Sequence, residues 1–281
     1  MLRLSDAVLD QLLAEDVPHG DLTTAMLAIG ARPGQMRFFA RTTQTVCCVE
    51  EAVWLIERSG GQAAALCRTG DILPADAPIL EADGSAEALL AAWKVAQTLI
   101  EATSGIATAV SDLVAAAKKG GGAVIACTRK NFPGAKAPSL RAVLAGGGVP
   151  HRLGLSDSLL VFPEHRAFLE SDLSESMKRL KAACPEKKLV AEVNSIEEAL
   201  SLAKAGADVV QLEKFSPEAV AETAAAFAVL AVPPILAAAG GVNVSNAEAY
   251  VRAGAKILVT SSPYWAKPSE VSVRIKGSSS V

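Results

Sequence analysis

At 281 residues the chain is long enough for one large or two modest domains, each with a proper core. Apolar residues make up 51% and charged residues 20%, and a net charge of −3 with a pI near 5.7 gives no electrostatic case for nucleic acid or an anionic membrane surface. No apolar run reaches the roughly 18–20 residues that span a bilayer, and residues 1–16 form an acid-bearing helical pattern without the marks of a signal peptide. The five cysteines (Cys47, Cys48, Cys67, Cys127 and Cys184) are odd in number, include an adjacent pair and form no C-x-x-C, which fits reduced thiols in a cytoplasm. The three histidines show no metal-ligand spacing.

Leu4, Val8 and Leu12 recur at helical spacing and predict a helix over 2–13. Residues 15–24, EDVPHGDLTT, read as a turn ending in an N-cap, with His19 on the surface. Strands are expected at 36–41, 45–49, 63–68 and 78–82 between Gly and Pro punctuation, with a helix over 50–58 and an Ala- and Leu-rich one over 85–102. Residues 1–107 therefore read as an α+β sandwich domain.

After Ser104-Gly105-Ile106-Ala107-Thr108 the pattern changes to apolar strands alternating with helices. The strands fall at 123–127, 159–162, 189–193, 208–212, 235–238 and 257–260. Ser195 and Glu198 form a capping box, Ser216-Pro217 opens the next helix, and 246–253 is the last one. Such a βα repeat implies a parallel sheet, and six strands rather than eight imply an open, incomplete α/β barrel over 108–267. Residues 271–275 alternate with period two and read as a strand returning to the N-terminal domain, so that 268–281 joins it; 277–281 would be a frayed tail.

In barrels of this kind the chemistry gathers at the C-terminal ends of the strands. Arg129 and Lys130 follow the first strand, and His151 and Arg152 come after the glycine triplet 146–148. An Arg-Lys pair in a loop is by itself ordinary solvated surface. Cations on both sides of a helix and a flexible glycine run, just past a buried strand, point instead to a small anionic ligand. Gly240-Gly241 after the fifth strand and Thr260-Ser261-Ser262 after the sixth suit a phosphate, through close backbone approach and added hydroxyl donors. Glu192 lies inside an apolar strand, where an uncompensated carboxylate is expensive, and Glu213 stands just past the next strand.

The order TRK-x-x-PG, a glycine triplet, then HR-x-x-L-x-D resembles the signature of the quinolinate phosphoribosyltransferase (nicotinate-nucleotide pyrophosphorylase) family. The resemblance covers essentially the whole chain, including a form of the family's ED-x-G-x-GD-x-TT near the N-terminus, with Pro18 for a Gly. It implies an open α/β barrel beside a small α/β sandwich, and transfer of phosphoribosyl from phosphoribosyl pyrophosphate. Arg129, Lys130, His151 and Arg152 match its cationic positions, and Glu192 and Glu213 match the two acids that face the ribose and Mg²⁺. A magnesium ion carried by the diphosphate would offset the cost of those carboxylates. Departures are informative: Pro150 precedes the His where the family has Asn, Ala102 stands for an Arg that reaches the partner's site, and Phe162 for a substrate-facing Lys. A Ser is lost at Ala239, and Glu213 replaces Asp.

These changes, with TSSPYWAKP near the end, resemble the ModD branch of the family, associated with molybdate-transport operons. The resemblance implies a nitrogen-heterocycle acid as acceptor, diphosphate release, and a homodimer or multiple of dimers in which Ala102 lines the opposite subunit's pocket. Two other readings stay open on the residues alone. One is a quinolinate phosphoribosyltransferase of NAD synthesis; the other is a non-catalytic anion-binding or regulatory protein of molybdate handling.

Overall fold

The computed structural model describes residues 3–170 and 172–278, and the chain divides into two compact units. The first unit comprises Met1–Ser111, Phe132–Gly147 and Pro263–Val281, and the second Asp112–Asn131 and Gly148–Ser262.

The first unit opens with α1 (Asp6–Asp16) and the short α2 (Leu22–Met26), whose cap Asp21 accepts from Thr23 N at 2.9 Å. Residue 2 of the expected first helix lies outside the described residues. Then come β1 (Pro33–Ala40), β2 (Gln44–Thr45), α3 (Val49–Arg58), β3 (Gln62–Ala65), β4 (Ile72–Leu73) and β5 (Pro78–Ser85). Along β1 burial alternates, so Met36, Phe38 and Ala40 share one face and enter the core. Against that face pack Val49, Ala52, Leu55 and Ile56, the one apolar stripe of α3. Leu89, Ala92, Ala96 and Ile100 of α4 (Ala86–Lys119) complete it.

Where composition points to a helix over 85–102, α4 runs on to Lys119, straight through Gly105. Glycine inside a helix costs about 1 kcal/mol relative to alanine. It is required here because a Cβ at 105 would sit 2.3 Å from the carbonyl oxygen of Lys267. So extended, α4 is long and apolar enough to cross a membrane by length and composition, but half of its most apolar window is buried within the protein.

The second unit begins its sheet with β6 (Val124–Cys127). The helix after it, α5 (Lys136–Ala145), belongs to the first unit. Ser139, Arg141, Ala142, Val143 and Ala145 are its buried residues, and Arg141 has two acidic partners inside the first unit. Then follow β7 (Val149–Pro150), β8 (Leu159–Val161), α6 (Pro163–Arg166), α7 (Leu173–Ala183), β9 (Leu189–Val193), α8 (Ile196–Lys204) and β10 (Val209–Glu213). The unit closes with α9 (Pro217–Phe227), β11 (Ile235–Ala239), α10 (Ala247–Arg252) and β12 (Ile257–Thr260). Ser195 accepts from Glu198 N at 3.2 Å and Ser216 from Ala219 N at 3.3 Å, so both helices start at the expected caps.

All pairings in this sheet are parallel, in the order β7-β6-β12-β11-β10-β9-β8. The first strand thus pairs with the last, while β7 and β8, neighbours in the chain, are the two edges: the sheet curls into a half-barrel. The six expected strands are joined by the two-residue β7. Two boundaries shift: Phe162 leaves β8 to cap α6, and Glu213 is the last residue of β10 rather than the first beyond it. Small side chains (Ala126, Val209, Ala237, Ala239 and Val259) form one packed cluster of this sheet. The final strand, β13 (Val271–Gly277), pairs antiparallel with β1 and completes the first unit's sheet, β13-β1-β5-β3. Of the expected tail, residues 279–281 lie outside the described residues.

Candidate active site

The C-terminal ends of the parallel strands surround a cavity of about 470 Å³. Each strand contributes where its backbone turns outward. Arg129 and Lys130 follow β6, His151 and Arg152 follow β7, and Phe162 follows β8. Glu192 comes from β9, Glu213 from β10, Gly240 and Gly241 follow β11, and Ser261 follows β12. The structure therefore brings these sequence-selected residues together. Ala102 is the exception: it lines a separate cavity of about 440 Å³ in the first unit, with Leu12, Glu15, Asp16 and Lys94. His19 is exposed.

The charges in the cavity are sorted by sign. Arg152 is 7% exposed, and burial together with the neighbouring Arg129 guanidinium lowers its pKa. His151 is likewise pushed below the usual histidine value, first by burial and then by Arg152. On the acidic side burial raises the pKa of Glu192, and Glu213 raises it further. Gln211 opposes this shift by donating from Nε2 to Glu192 Oε2 at 2.6 Å, and Lys130 opposes it more weakly. Like charges held together in a partly buried space favour counter-ions: an anion between the cations and a cation between the acids.

Backbone geometry sets these positions. Glu192 and Gln211 are paired in register across β9 and β10, and Glu213 lies two residues beyond Gln211, on the same face. Lys214 then turns left-handed at φ 59°, its N–H donating to Ala239 O at 2.8 Å. The turn leaves room for nothing larger than glycine at 240. That residue has φ +80°, and a Cβ there would lie 2.7 Å from Lys214 N and 2.8 Å from Glu213 Oε1. The Gly241 carbonyl accepts from the Asn243 and Asn246 amides at 3.0 and 3.1 Å, and Thr260 Oγ1 donates to Val242 O at 2.7 Å. Those bonds tie the glycine turn to the end of β12.

Phe162 forms an aromatic wall. The Arg152 guanidinium carbon lies 5.5 Å from its ring centroid, and the ring stacks on His165 at 5.7 Å. His165 Nδ1 in turn accepts from Phe162 N at 3.0 Å. Sequence reasoning missed Gln211 and Asn243, both of which line the cavity. The signal for Gln211 was an amide in the middle of the apolar run DVVQLE, one register step from a buried acid. Asn243 was readable as an Asx turn after the glycine pair, since its Oδ1 accepts from Ser245 N at 2.9 Å.

Fold and site together define a βα half-barrel enzyme whose strand ends carry paired acids facing clustered cations. Models of the quinolinate phosphoribosyl transferase N-terminal and C-terminal domains match residues 21–104 and 106–274. The chain belongs to the quinolinate phosphoribosyl transferase family and is a pentosyltransferase of the nicotinate-nucleotide diphosphorylase-like class. Among its relatives, a Rhodobacter capsulatus chain named as a ModD pyrophosphorylase is 47% identical over 259 residues, 90% of this chain and 98% of its own. One of the same name from Escherichia coli O157:H7 is 35% identical across 100% of both chains. The fold is shared with the nicotinate-nucleotide pyrophosphorylase from Francisella tularensis (TM-score 0.89, 23% identity, 98% of each chain). It is shared equally with NadC from Streptococcus pyogenes (TM-score 0.89, 22% identity, 99% of this chain and 100% of that one).

Proposed function

We propose that this enzyme transfers the phosphoribosyl group of phosphoribosyl pyrophosphate to a ring nitrogen of a heterocyclic acid. The C1–O bond breaks with both electrons leaving on diphosphate, and the nitrogen lone pair forms the C1–N bond. The observation that carries the reading is the sorting of charge in the cavity, Arg129 beside Arg152 and Glu192 beside Glu213. Arg129, Lys130 and Arg152 bind the anionic groups, Arg as a planar fork and Lys as a point charge. The left-handed Gly240-Gly241 turn admits a phosphate to the backbone. Glu192 and Glu213 sit where positive charge develops on the sugar and stabilise it without being consumed.

The donor set suits Mg²⁺. Among the described residues no cluster of three or more His, Cys, Asp or Glu could hold a metal by itself. Glu192 and Glu213 offer an oxygen-only pair that phosphate oxygens and water would complete. Glu192 and Glu213 would hold the ion, which supplies neutralisation of the leaving diphosphate.

Phe162 beneath Arg152 gives the acceptor side one aromatic wall and fewer cations than two carboxylates require, which favours the ModD reading over quinolinate and NAD synthesis. The reaction is tested by incubating the chain with phosphoribosyl pyrophosphate, Mg²⁺ and a panel of pyridine and related acids, scored by diphosphate release. Turnover with a monocarboxylate and weak competition by quinolinate are expected. No release with any acceptor would overturn the transferase reading, and quinolinate competing as well as any monocarboxylate would overturn the account of the pocket. We further infer a homodimer or multiple of dimers, because the half-barrel leaves sheet edges to cover and Ala102 lines a cavity of its own. Sedimentation at micromolar concentration checks this, and a monomer refutes it.

A further inference from the structure

Gln211 is unusual among the cavity residues. It is 4% exposed, on a strand whose other members are apolar up to Glu213, and it still lines the cavity. Its two ends are treated differently. Nε2 donates to Glu192 Oε2 at 2.6 Å, whereas Oε1 is buried with no hydrogen-bond partner. An unpaired buried carbonyl is destabilising, so a partner at Oε1 would be favourable. The amide orientation follows from chemistry, because an ionised carboxylate only accepts and so draws the NH₂ end. The register of β9 against β10 places this amide beside Glu192, and the two-residue strand period places it on the face of Glu213.

We propose that Gln211 is a positioning residue for a divalent-cation site formed by Glu192 and Glu213. Its Nε2 pins one Glu192 oxygen and leaves the other for the cation, while Oε1 accepts from a water carried by that cation. This rests on the phosphoribosyl transfer reading for the identity of the cation's partner, though not for the site itself. Ligating carboxylates are commonly held by such an outer hydrogen bond, whose loss weakens metal binding by about tenfold to a hundredfold.

The test uses the full chain and Mn²⁺ alone, followed by electron paramagnetic resonance, so that no substrate or turnover enters the readout. Gln211→Met fills similar volume with no donor or acceptor, and Gln211→Leu serves as a second apolar variant. Both should melt near the wild type yet bind Mn²⁺ at least about tenfold more weakly. In a Glu192→Gln background Gln211→Met should add less than about twofold, because the glutamine acts through that carboxylate. The proposal is overturned if the single variants keep wild-type Mn²⁺ affinity, if the two losses multiply in the double variant, or if the wild type takes up no Mn²⁺. Diphosphate release is measured separately. Mn²⁺ results as expected, with no transfer to any acceptor, would sink the transferase reading and leave the role of Gln211 standing.

Discussion

Each unit of this chain buries a cluster of charge, and the two clusters are built on opposite rules. In the first unit Arg141, 5% exposed at its side chain, donates from Nε to the fully buried Glu51 and from Nη2 to Glu50, both at 3.0 Å. Burial alone would lower the arginine's pKa, but Glu51 more than offsets it and the net shift is upward. Burial pushes the Glu50 carboxyl up, but hydrogen bonds from Thr69 and from its own backbone, with the Arg141 charge, together bring its pKa below the usual value. Opposite charges meet there, Nε and Nη2 of the arginine each on a carboxylate. In the second unit like sits beside like, and Glu192, His151 and Arg152 are all shifted against their charged forms. A paired cluster holds a fold together, whereas a cluster sorted by sign needs a ligand to satisfy it. Charge count alone does not separate the two; the sign of the nearest neighbour does.

The comparison breaks first at the cations. Arg129→Ala or Lys130→Ala should abolish detectable diphosphate release while the melting temperature stays near wild type, since both residues are exposed loop cations. A melting temperature that collapses in either variant would make that residue structural. Next in size is the reverse outcome. Arg141→Ala should remove about 3–5 kcal/mol of stability in denaturant titration, because it leaves Glu51 buried and uncompensated. Activity per folded molecule should hold. Loss of activity without loss of stability would place Arg141 with the site instead.

Glu192→Gln sharpens the contrast from the acidic side. Its affinity for Mg²⁺ with phosphoribosyl pyrophosphate should fall by about tenfold or more in calorimetry. Stability should move the other way. A carboxylate with a raised folded pKa contributes stability below the ordinary glutamate range and loses it as pH rises through the folded value. At neutral pH the variant should therefore melt no lower than wild type, and any gain should vanish on acidification. A variant that melts well below wild type at neutral pH would mean Glu192 is paired after all.

Much of this was legible in the sequence because strand ends are legible. Each apolar run in 123–260 is short and bounded, so the residue after it is fixed within one or two positions, and Arg129, Gly240 and Ser261 were placed that way. Partners across space were not legible. Nothing near Leu140 or Leu144 says that Arg141 will be the buried side of its helix, because Glu50 and Glu51 lie some 90 residues away. The run-on of α4 through Gly105 was hidden for the same reason: the glycine is required by the Lys267 carbonyl, not by its own neighbours. Gln211 could have been singled out as a polar residue in an apolar strand, yet its meaning depends on a register that only the folded sheet supplies.

The smallest expected effect concerns His151, and it follows from the same sorting of charge. In the free enzyme burial and the adjacent Arg152 shift this imidazole toward its neutral form. The sign is that of a base with a depressed folded pKa. Its stabilising contribution is present above the ordinary histidine value and is lost as pH falls through the folded one. Diphosphate bound between Arg129, Lys130 and Arg152 would reverse the local field and favour the imidazolium, so binding should take up a fraction of a proton near pH 6.5. Calorimetry of inorganic diphosphate binding in two buffers of different ionisation enthalpy measures that fraction directly. His151→Gln should bind somewhat more weakly and show little uptake. If the uptake persists unchanged in that variant, the proton goes to another group and His151 is only part of the wall.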